Sequence, residues 1–277
     1  MKKIKLLFSS AVIALLTMTS CTKEEAIETA DTNAVVASVA IDASNEIDFK
    51  TGMQVALDNT SAKSTLSAKT ASLVGDCAVV TMETPTVNAF PKIFYVDFGT
   101  GCTVNNITRK GKLKITISNY ISVYGSTMKI ERENYYINDS KIEGIVNYVN
   151  ETTSSAIPQW TRTVTDGKLT DAKGHIFLHS GSHTMKQTEG ALTPLSLDDN
   201  VYEMTQGNHT ITKENGSTLT LTVLEPLVKK YSCEYISKGK LELKGEFLNG
   251  VVDYGTGECD AKYTYTHENG LVFSLNM

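Results

Sequence analysis

Past its first twenty residues, the sequence has no apolar run approaching the roughly eighteen residues that a membrane-crossing helix needs. A conventional helical span is thereby excluded from the body of the chain. There are only five prolines, with none between Pro91 and Pro158, and a single tryptophan. Basic residues do not exceed acidic ones, and the formal charge is −5. Removing a leader with three lysines and no acids takes it to −8. A surface this acidic excludes nucleic acid as a partner and excludes charge-driven adhesion to anionic lipid. Gly-x-Ser-x-Gly, His-Glu-x-x-His and a glycine-rich phosphate loop are all missing. No catalytic residue, cofactor or metal ligand is therefore assigned from motifs, and binding is expected rather than catalysis.

What is present begins with an address. Lys2, Lys3 and Lys5 precede the apolar run "LLFSSAVIALL" over residues 6–16, and Thr19 and Ser20 lead to Cys21. Residues 1–20 read as a secretion signal. Ser20–Cys21 resembles the lipobox of bacterial lipoproteins, with Met18 where leucine is most frequent. The resemblance implies cleavage before Cys21 and acylation of its thiol. An acyl anchor holds a soluble domain on a bilayer by burying methylenes at about 0.8 kcal/mol each, so membrane lipid is an expected partner. The following "TKEE" resembles an export tag to the outer face of the outer membrane. The expected location is therefore the outer membrane, lipid-anchored and displayed at the cell surface, with the periplasmic face as the alternative.

Residues 21–72 are rich in Ala, Ser, Thr and Asp, with Phe49 as the only aromatic. They read as a lipidated tether with room for one short helix. From residue 92 the chain alternates with period two: Leu113, Ile115 and Ile117 oppose Lys112, Lys114 and Thr116, and Leu219, Leu221 and Val223 oppose threonines. Turn signals such as "YGS" at 124, "TDGK" at 165, "ENGS" at 214 and "ENG" at 268 recur every 8–14 residues, which means hairpins rather than βαβ crossovers. The expected fold is all-β: a single domain over 73–277 with about twelve to fifteen antiparallel strands in a large sheet, sandwich or half-open barrel.

Four cysteines remain after Cys21, an even number in a secreted chain. "FYVDFGTGC" (94–102) returns as "GVVDYGTGEC" (250–259), and each copy follows an earlier cysteine, Cys77 or Cys233, at nearly the same distance. This weak internal duplication makes Cys77–Cys102 and Cys233–Cys259 the economical pairing. Pairings that join the two halves remain the alternatives. Asp97 and Asp253 end their strands, and the glycines at 99, 101, 255 and 257 suit tight turns. Each aspartate is expected to accept hydrogen bonds from its own turn, and a single acid per turn is a weak basis for calcium.

His175, His179 and His183 are four apart on an alternating segment. Residues so spaced on a strand lie about 13 Å apart, too far for one ion, and they read as surface histidines unless a turn at Ser180–Ser182 folds two together. Trp160 reads as core. Acid pairs such as Glu131/Glu133 and Asp198/Asp199 carry no spacing that identifies a hydrolase. The loop "QTEGALTPLSLDDN" (187–200) is the longest irregular piece and a candidate for recognition.

The order of "CAVVTM", "VDFGTGC", "RKGKLKITISNY", "NYYINDSKIEG", "STLTLTVLEPL" and "VDYGTGECDAKYTYTHENG" resembles a family of Bacteroidota lipoproteins over residues 75–277. That resemblance implies a lipobox and an all-β body and assigns no chemistry. The expected function is a non-enzymatic binding or envelope-structural module contacting a glycan or an envelope protein. A β-clam carrier of an apolar ligand and a carboxylate-dependent hydrolase are the alternatives.

Overall fold

The computed structural model describes residues 32–60, 74–83, 89–194, 196–246 and 248–277. The leader, Cys21 and residues 22–31 lie outside them. A long helix, α1 (Thr32–Thr60), precedes fourteen strands: β1 (Val79–Met82), β2 (Lys92–Asp97), β3 (Cys102–Val104), β4 (Ile107–Ile117), β5 (Thr127–Ile137), β6 (Ser140–Asn150), β7 (Gln159–Thr170), β8 (Ile176–Glu189), β9 (Val201–Lys213), β10 (Thr218–Lys230), β11 (Lys238–Gly245), β12 (Gly250–Thr256), β13 (Lys262–His267) and β14 (Val272–Asn276). All strands belong to one antiparallel sheet that runs in chain order from edge strand β1 to edge strand β14, with β3 as a short flap on β4. The all-β expectation holds.

The sheet bends because its strands carry bulges. Gly111 in β4 and Gly144 in β6 take φ of 80° and 102° where the register shifts. At Gly144 a Cβ would lie 2.7 Å from Asp166 O, so only glycine allows the strands to approach so closely. The "TDGK" stretch, expected as a turn, is instead a bulge inside β7: Asp166 takes a φ of 52° and the register slips between Val164 and Gly167. Bulging concentrates twist and curls the sheet into a half-open coil. Asn105, in the β3–β4 turn, donates to Glu234 beyond β10 at 2.8 Å across that coil.

The concave side holds α1, and here the tether expectation is overturned. Between residues 32 and 57 only Val36 is exposed, and residues 41–49 are all buried. Small side chains make this possible: a Cβ on Gly52 would reach 2.6 Å from Met128 Sδ of β5. A helix surrounded on every side by sheet needs no apolar stripe, so its sequence lacked the 3.6-residue signature of an amphipathic helix. Phe49 packs against Tyr148, Trp160 and Tyr202, with ring centroids 5.0, 6.5 and 5.1 Å away.

The cysteines pair Cys77–Cys102 and Cys233–Cys259, with Cα separations of 5.4 and 5.2 Å. Gly99 N donates to Asp97 Oδ1 and Gly255 N to Asp253 Oδ1, both at 2.8 Å. Gly99, Gly255 and Gly257 have positive φ and Gly101 does not, so the two turns share their aspartate anchor but differ in backbone detail.

Candidate functional site

Two regions depart from an ordinary core and surface. The first is the seam between α1 and the concave sheet, which is buried yet charged. Arg162 Nη1 donates to Glu46 Oε1 at 2.6 Å, and Arg162 Nη2 stands 3.8 Å from Asp42 Oδ1. Arg132 donates through Nε to Asp48 Oδ2 at 2.8 Å and through Nη2 to Asn45 Oδ1 at 2.9 Å. Tyr135 OH donates to Asp48 at 2.7 Å and Tyr254 OH to Asp42 at 3.3 Å. Burial pushes the Glu46 carboxyl above its ordinary value although Arg162 pulls the other way. The helix thus brings the acids and the sheet brings the arginines.

His179 and His183 belong to this seam, which corrects the surface assignment. β8 runs unbroken through Ser180–Ser182, so both rings point inward from one face and are buried. Arg162 Nη2 donates to His183 Nδ1 at 3.2 Å, and the rings of His183 and His209 stand 5.6 Å apart. Burial, aided by nearby arginines, lowers His179 to about 3 and His183 to about 2, and lowers His209 as well. His175 alone matches the expectation of exposure, facing Asp171 at 2.8 Å. No group of three His, Cys, Asp or Glu able to hold a metal occurs among the described residues. The seam is closed to solvent and serves to hold α1.

The second region is a cleft of about 510 Å³ at one end of β4–β9. The β4–β5, β6–β7 and β8–β9 loops form its walls, and Met53 and Leu57 of α1 reach its floor beside Ile121, Trp160 and Leu197. Asn150 ties the first two loops together: its Nδ2 donates to Ile121 O at 2.6 Å and its Oδ1 accepts from Thr152 N at 2.8 Å. Gln187 N donates to Pro158 O at 2.8 Å, and Gln187 Nε2 to Asn200 Oδ1 at 2.9 Å, fastening the third loop. A Cβ at Gly190 would strike Asn200, so the β8–β9 loop can leave its strand here only through glycine.

Among the described residues, no charged side chain lines this cleft. Glu151 is turned to Thr161, and Asp199 accepts from Thr193. The rim carries exposed apolar side chains from all three loops: Tyr124 (68% exposed), Ile157 (54%) and Leu192 (91%). The loop expected to carry recognition lies in this wall, although β8 continues to Glu189 and shortens it to 190–200. Trp160 is core, as expected, with one edge at the cleft floor. The contribution of α1 went unseen, because a helix inside the sheet leaves no local signal of where its end emerges.

The turn aspartates do not meet at a site. Asp97 is held below the usual carboxylate range by the Gly99 amide and by Lys112, 3.0 Å away. Asp253 borders a separate charged saddle of about 770 Å³ on strands β10–β14. There Lys240 already serves Glu225 at 2.8 Å and Asp253 at 3.8 Å, so the charges answer one another. Glu131 is likewise paired, to Lys129 at 3.1 Å. No family profile, curated protein or solved structure matches the chain.

Proposed function

We propose that the protein is a lipid-anchored extracytoplasmic module that binds its partner in the loop-end cleft and performs no catalysis on it. The observation that carries this reading is a cleft of ligand size with no ionisable group among its described lining residues. Acid–base chemistry uses a titratable group at the reacting atom, and the described lining offers none. The apolar cavity that a β-clam carrier would keep behind its sheet is occupied by α1.

The lipobox-like Cys21 and the resemblance to Bacteroidota lipoproteins support the address, and the acyl anchor fits the geometry. At 1.5 Å per residue, Leu57 stands about 38 Å along α1 from Thr32. Thr32 and the cleft thus belong to opposite ends of the helix. A component of the envelope is the partner class that such display serves.

The test replaces Leu192 with a photo-crosslinking amino acid in the native envelope, with Thr222 on the outer face of β10 as the reference position. Selective capture of a partner from 192 is the expected result, and equal capture from both positions would remove the cleft from the function. Mass analysis of the native amino terminus checks the anchor: a diacylglyceryl group on Cys21 is expected, and an unmodified thiol overturns the address.

A further inference from the structure

We infer that the cleft accommodates the aliphatic chain of an uncharged amphiphile. The inference rests on the cleft being the binding site and goes further by naming the ligand chemistry.

Three features lead to it. An ionised head group entering the cleft would lose water and meet no counter-charge from the described lining residues, none of which is charged. The cleft's amides are not free to read the hydroxyls of a sugar. Asn150 is engaged at both ends of its amide. Gln187 Nε2 donates to Asn200 Oδ1, and Asn200 Nδ2 to Tyr202 OH at 2.8 Å. A sugar reading these amides would have to break their bonds, at about 1–3 kcal/mol each, which leaves it the hydroxyls of Ser122, Thr153, Ser155 and Ser196 alone. What the lining does offer is aliphatic and thioether surface from Met53, Leu57, Ile121 and Leu197, and the loops that wall it also carry exposed Ile157 and Leu192. Methionine and leucine chains adapt to a flexible hydrocarbon by rotamer changes.

Trp160 is the only tryptophan in the chain, so its emission reports on the cleft alone. The full chain carrying Cys21→Ser, which has no acyl group of its own to compete, is titrated with four probes. Dispersed monolauroylglycerol and dilauroylglycerol held in phosphatidylcholine vesicles are offered separately. A saturable change in emission with either supports the proposal, and the one that saturates identifies whether the amphiphile comes from solution or from a membrane. Laurate at pH 8, the same chain with a charge, is expected to bind at least tenfold more weakly; equal affinity overturns the requirement for an uncharged head. Maltotetraose is expected to leave the emission unchanged. If the sugar saturates and neither glyceride does, the chain class is wrong while the cleft remains the site. Ala191→Phe, on a loop, fills the cleft without touching the seam. It is expected to weaken glyceride binding at least fivefold at unchanged thermal unfolding. If no probe alters Trp160 emission, or if Ala191→Phe leaves affinity unchanged, the cleft itself fails as the binding site.

Discussion

The seam and the cleft share the helix α1 but use it in opposite ways. In its middle, Asp42, Glu46 and Asp48 meet Arg132 and Arg162 in a fully buried contact of three acids with two arginines. Towards its end, Met53 and Leu57 meet loops that line the cleft with no charged side chain among the described residues. The difference separates two tasks. Ion pairs in a dry interior have one geometry in which they are satisfied, so they fix where the helix sits even where they add little net stability. An uncharged cleft has no such directional demand and can accept a ligand by shape and apolar area. Position is specified by charge inside the molecule, and recognition is left to apolar surface at its end.

The sharpest way to break this contrast is to unbalance the seam. Arg162→Leu strands Glu46 and Asp42, and is expected to destabilise the fold by about 3–5 kcal/mol in urea unfolding. Adding Glu46→Leu should recover a large part of that loss, because the unpaired charge rather than the missing bond dominates the cost. A double mutant no better than the single one would refute the pairing. Removing the Cys77–Cys102 bridge by Cys→Ala at both positions releases a closed loop of about 25 residues, worth about 3 kcal/mol on the chain-entropy account. Ligand response at Trp160 should persist below the new melting point, because the bridge lies away from the cleft.

As the pH falls from neutral, acid acts first on the histidines of the seam. His179, His183 and His209 have folded-state values depressed below their ordinary 6.5, so the unfolded chain takes up protons first. Their contribution is complete above pH 6.5 and is lost as the pH falls towards about 3. Moving from pH 7.5 to pH 6 should cost about 1.5 kcal/mol for His179 and His183 together, with His209 acting in the same direction. A melting temperature flat across that interval would contradict their neutral burial. The smallest effect belongs to the cleft rim. Leu192→Ser should change stability by less than about 0.5 kcal/mol while shortening retention on a hydrophobic-interaction column. A large loss of stability would mean that the rim is structural.

The strands from 92 onward could be read because each has one buried and one wet face, and Leu113, Ile115 and Ile117 write that period directly. The turn aspartates were legible for a similar reason, since Asp97 and Asp253 bond within two residues of themselves. The histidines misled because burial on the concave face depends on what fills the concavity. On an alternating strand, His179 and His183 look alike whether water or a helix lies opposite. The cleft was half legible: its loop stood out by composition, but its floor comes from α1, more than a hundred residues earlier in the chain.

Local chemistry in the sequence thus determined the all-β body and the cysteine pairing, because alternation and a duplicated turn act over a few neighbouring residues. Tertiary structure alone decided that residues 32–60 form a helix inside the sheet, and that three loops and the end of that helix enclose an uncharged cleft. An alanine- and serine-rich segment with scattered acids gains its helical state only when arginines and tyrosines from distant strands surround it. No window of sequence contains both partners.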